Sequence, residues 1–162
     1  MAGRTGDGVT ADSDSTRSRG VAWRAATRAG AVYALSVFAV GCAFGSVRVL
    51  WVAPRLGTLA AVILETPVMF AVSWATARWC TRRHAVPDDA RSRAVMGAVA
   101  FLVLMLVEFC FAVWVFGESP ARWVAILATA PGAIGLLAQV CFAAVPFAQA
   151  VRPPGGSATR GA

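Results

Sequence analysis

The 162-residue chain contains no lysine, and all 15 of its basic side chains are arginine. It has a single histidine, His84, and four cysteines, Cys42, Cys80, Cys110 and Cys141, none of them in a C-x-x-C pair. These shortages exclude much chemistry. One histidine and scattered cysteines offer no zinc or haem spacing, so no metal and no cofactor is expected. His84 falls in a basic loop and reads as a solvated residue, leaving no convincing nucleophile and base pair, so no enzyme is expected either. Charged residues make up only 14% of the chain, against about 25% in soluble domains. The net charge of +7 is not the mark of a nucleic-acid binder, because the arginines flank apolar runs instead of forming a stripe among stacking aromatics.

What the sequence has in abundance is apolar length. Hydrophobic residues reach 58%, and crossing ~30 Å of hydrocarbon takes ~20 of them in a row. Four stretches qualify, at about 31–53, 58–77, 94–116 and 123–151. The expected fold is therefore all-α: a polytopic membrane protein built as a four-helix transmembrane bundle over 29–151. Residues 1–28, rich in Gly, Ser, Thr and Asp before a basic lead-in with Trp23, Arg24 and Arg28, are expected to form a disordered, basic cytoplasmic segment. Residues 152–162 are expected to be a flexible tail. The first apolar run continues past Cys42 to Ala53, too long for a removable signal peptide, and is read as a retained anchor. The cysteines read as small apolar packing residues.

Several local signals punctuate the spans. Gly41-x-x-x-Gly45 offers a surface for close helix approach. Pro67 removes a backbone donor next to Glu65 and is expected to kink the second span. Ser119 can cap a helix with Pro120 at its first position. The fourth span, with Pro131-Gly132, Gly135, Gln139 and Pro146, is expected to be the most irregular. Its residues Ala128, Gly132, Gly135, Gln139 and Ala143 share a face suited to tight packing. Trp23, Trp51, Trp79 and Trp123 mark span borders, whereas Trp74 and Trp114 are expected to pack inside. The arginines concentrate before the first span, between the second and third, and after the fourth. Both termini and the central loop should then be cytoplasmic, with the chain multi-pass in a bacterial inner membrane.

Three ionisable residues fall inside the spans. Arg48 precedes Ala53 by five residues, Glu65 follows Thr58 by seven and Glu108 precedes Phe116 by eight, so a rise of ~1.5 Å per residue sets all three roughly 8–12 Å inside one boundary. Charges at that depth seek partners or a wet cavity. Arg48, Glu65 and Glu108 are accordingly expected to meet as an intramembrane polar cluster, with Pro67 and Gln139 as secondary candidates.

The pattern Phe44-Gly45, Arg48-Val49-Leu50, Ala53-Pro54-Arg55-Leu56-Gly57 and Glu65-x-Pro67-x-Met69, continued by Arg93-x-x-Met96-Gly97-x-x-Ala100-Phe101, Glu108, Gly135-Leu136-x-x-Gln139-x-x-Phe142 and Pro146, resembles a group of uncharacterised small bacterial inner-membrane proteins. The resemblance implies a four-helix membrane fold over 31–147 and carries no activity. The expected function is that of an integral inner-membrane protein, a structural or accessory bundle held by its Arg/Glu layer. Its partners would be the lipid bilayer and either another copy or a second membrane protein. The alternative is a small oligomeric proton-coupled transporter or channel.

Overall fold

The computed structural model describes residues 7–151, and within them the chain is helical throughout, with no strand. Helix α1 runs Asp7–Val47, followed by a π-helical stretch Arg48–Val52 and the short α2, Ala53–Leu56. Helix α3 is Thr58–Arg83 and α4 is Ala90–Cys110, which passes into a second π-helical stretch, Phe111–Val115. Helix α5, Pro120–Leu127, and α6, Ala130–Val151, complete the chain. Helix α1 packs on α3 and α4, and α6 packs on the same two, so that α3 and α4 share no extensive face. One end of the assembly carries the loop at 84–89. The other carries the turns after α2 and before α5.

The core sits at the loop end. Buried side chains recur at helical spacing along α1 (Ala26, Ala29, Tyr33, Val37) and α4 (Arg93, Met96, Ala100, Leu104), and meet Ala77 and Cys80 of α3 and Phe142 and Val145 of α6. The long helices α1, α4 and α6 approach one another closely at two glycines. A Cβ on Gly30 would lie 2.5 Å from the Met96 carbonyl oxygen, and one on Gly97 would lie 2.1 Å from that of Ala143. Only glycine allows backbones this near. Gly41, by contrast, merely touches Met69 and Gly45 faces open space, so the Gly41-x-x-x-Gly45 pattern does not mark the tight crossing. At the same level the Tyr33 ring stacks on Phe142 with centroids 4.3 Å apart, and its hydroxyl donates to the Phe142 carbonyl at 3.1 Å.

The chain departs from its sequence-based expectations in several places. Helix α1 begins at Asp7, inside the segment expected to be disordered, because a helix already nucleated in an apolar run gains one hydrogen bond for each residue it adds. The expected fourth span 123–151 is divided in two. Thr129 ends α5 by donating from Oγ1 to the Ile126 carbonyl at 2.6 Å, and begins α6 by accepting from the Gly132 amide at 3.2 Å. Pro67 lies within α3 without interrupting it. Trp114, expected to pack inside, is 81% exposed in the second π-helical stretch. The tail at 152–162 lies outside the described residues.

Helix α3 extends to Arg83 and α4 starts at Ala90, which shortens the intervening loop to six residues, 84–89. Helix α3 closes with the Val86 amide donating to the Thr81 carbonyl and the Ala85 amide to that of Arg82. This is the two-bond C-terminal closure that normally places glycine where Ala85 stands. Ala85 has φ 50°. Asp89 then caps α4, accepting from the Ser92 amide at 2.7 Å. That amide and the Ser92 hydroxyl hold the Asp89 carboxyl below the usual carboxylate range, so its cap acts above the ordinary aspartate pKa and weakens as acid protonates it. Arg93, buried one turn on, ties the loop down through the Pro87 carbonyl at 3.1 Å and through Asp88.

Two substitutions test this account by thermal unfolding of the purified protein. Ala85→Gly relieves the left-handed backbone and should stabilise by about 0.5–1 kcal/mol. Gly97→Ala forces α4 off α6 and should destabilise by about 1–3 kcal/mol.

Candidate functional site

At the turn end, away from the packed core, the polar side chains of the apolar helices form two pairs. The first joins α1 to α3. Arg48 is the first residue past the α-helical part of α1, and its Nε lies 2.7 Å from Glu65 Oε2 in α3. The N–H is not aligned for a hydrogen bond to that oxygen, so the contact is a close charge pair, with side chains 29% and 19% exposed. The second pair joins α4 to α6. Gln139 donates from Nε2 to Glu108 Oε2 at 2.5 Å, while its Oε1 is buried with no hydrogen-bond partner.

Arg48 and Glu65 are thus brought together, and Glu108 is not joined to them by an ion pair among the described residues. The reason is helix order. Glu65 sits on α3 and Glu108 on α4, the two long helices that share no extensive face. Gln139, a secondary candidate, supplies the partner that Glu108 lacks. Pro67 is exposed on the outer side of α3 and lines neither pair.

Three further polar contacts lie among the helices without having been singled out from sequence. Tyr33 bonds the Phe142 carbonyl across the bundle, Gln149 donates from Nε2 to the Trp74 carbonyl at 2.9 Å, and buried Arg93 anchors the 84–89 loop. A signal existed for two of them, since Tyr33 is the only tyrosine and Gln149 one of only two amides in the last apolar run. At the turn end itself, Arg55 donates to the Trp51 carbonyl at 2.9 Å and Arg122 pairs with Glu118 at 2.9 Å. Among the described residues no three His, Cys, Asp or Glu side chains come together as metal ligands, and all four cysteines are free thiols.

The chemistry these pairs permit differs. Arg48 and Glu65 form a close pair of opposite charges. Glu108 faces an amide, which can donate to a carboxylate or accept from a carboxylic acid. Comparison of the chain with protein-family models, with curated proteins and with solved structures finds no match in any of the three.

A double-substitution cycle separates cohesion from charge burial at the first pair. Glu65→Met alone strands Arg48 and should destabilise more than Arg48→Met with Glu65→Met, with a coupling of about 0.5–3 kcal/mol between the two sites. Thermal unfolding of the three variants beside the parent reads it directly.

Proposed function

We propose that the chain is an integral protein of a bacterial inner membrane, a four-helix transmembrane bundle with both termini cytoplasmic and a structural or accessory role. The observation that supports this reading is where the apolar surface lies. Three helical stretches among the described residues, Arg17–Leu56, Ala90–Val115 and Gly132–Val151, are long and apolar enough to cross a membrane, and only 6%, 11% and 17% of their most apolar windows are buried within the chain. Side chains such as Leu50, Ile63, Leu102, Phe116 and Leu137 are more than 60% exposed. A soluble domain does not present continuous apolar surface on this scale, whereas hydrocarbon solvates it. Helix α3, at 26 residues and packed between α1 and α6, is long enough to serve as the fourth span.

In this setting the Arg48–Glu65 and Glu108–Gln139 contacts act as lateral fasteners. Each joins two helices at the end where few apolar side chains interlock, and each removes polar groups from lipid. The arginines at 78, 82, 83, 91 and 93 gather at the loop end, which agrees with a cytoplasmic loop.

Carbonate washing of membranes from expressing cells should leave the chain in the pellet. Reporter fusions that are active only outside the cytoplasm should be silent after Pro87 and at the C-terminus and active after Gly117. The opposite pattern would invert the topology. A second reading, a small oligomeric proton-coupled transporter, is favoured by one observation: among the described residues Glu108 has no cationic partner. Under that reading, proton flux in reconstituted liposomes falls at least about tenfold in Glu108→Gln, equivalent to about 1.4 kcal/mol in the rate-limiting step.

A further inference from the structure

We propose that Glu108 and Gln139 form a proton-binding site in which the Glu108 carboxyl exchanges a proton, whereas Glu65 serves as the counterion of Arg48. The inference rests on the membrane reading above and assigns different roles to the two glutamates inside it.

The first argument is the company each carboxyl keeps. Glu65 has a guanidinium 2.7 Å away. Glu108 has none. From α1 and its π-helical continuation the nearest candidate cation, Arg48, is committed to Glu65, and from α5 Arg122 is committed to Glu118. Helix α6 carries no charged residue, and its one ionisable group is the exposed thiol of Cys141. On α4 itself Arg91 and Arg93 stand at the opposite end, leaving only the Cys110 thiol near the carboxyl. A lone carboxyl of this kind, held among apolar helices, can reach neutrality only by taking up a proton.

The second argument is the amide. With Glu108 ionised, Gln139 Nε2 donates to Oε2 and its Oε1 is left buried without a donor. When Glu108 is protonated, a half-turn of the amide brings Oε1 to face the carboxyl, and the new O–H donates to it. Glu108 thereby keeps one hydrogen bond to Gln139 in both states, with Nε2 taking the unpaired position when the carboxyl is protonated. The backbone is adapted at the same place. The Phe111 amide contacts the carbonyls of both Glu108 and Val107 as α4 gives way to its π-helical stretch, a distortion often found where helices carry function.

The test uses membranes containing the full chain, treated with dicyclohexylcarbodiimide, a reagent that adds to protonated carboxyls in apolar surroundings. The adduct is located by mass spectrometry. Labelling is expected on Glu108, falling about tenfold per pH unit above that group's own pKa. It should vanish in Glu108→Gln and persist in Glu65→Gln, and Gln139→Leu should move the midpoint of its pH profile without unfolding the chain. Labelling on Glu65 in place of Glu108 would overturn the proposal, as would an unlabelled Glu108 in chain retained by carbonate-washed membranes. Release by the carbonate wash would instead overturn the membrane reading beneath it.

Discussion

The contact on which the rest of the structure depends is the approach of three backbones at Gly30 and Gly97. By letting the Met96 and Ala143 carbonyls come where a side chain would otherwise stand, these glycines draw α1, α4 and α6 together at one level. Tyr33 and Phe142 then stack across that level and close it. The buried residues cluster around this point and toward the 84–89 loop. At the other end the same helices are held by side chains of another kind: one charge pair and one carboxylate–amide bond.

This division explains why the polar residues pair as they do. Where apolar packing is dense, helix order is already set, and at the turn end the π-helical continuation of α1 lies against α3 while α4 lies against α6. Each intrahelical charge or amide then finds the partner on its neighbour. Arg48, Glu65 and Glu108 do not form one cluster, because Glu108 stands on a helix that neither the Arg48 stretch nor α3 packs against extensively.

Much of the fold was legible in the sequence. The apolar runs announced long helices, and the Ser119-Pro120 start of α5 was readable from capping chemistry, with Ser119 accepting from the Arg122 amide at 3.2 Å. What periodicity could not give was the order of helices around the bundle, which rests on contacts between residues far apart in sequence, such as Gly97 with Ala143. It also overvalued Gly41-x-x-x-Gly45, since spacing reports which small residues share a face and not whether another helix lies on it. The division between α5 and α6 turns on the hydroxyl of Thr129 acting in both directions, a detail hidden inside a continuous apolar run. Gln139 was visible as an unusual residue, but its partner was not.

Helix α1 spans 41 residues, about 60 Å at ~1.5 Å per residue, and contains no proline. It is roughly twice as long as a bilayer's hydrocarbon is thick. A rod of that length, without a joint, carries the chain past the packed core in both directions, so that the Arg48–Glu65 charge pair beyond its last α-helical turn stands clear of the side chains that fix its middle.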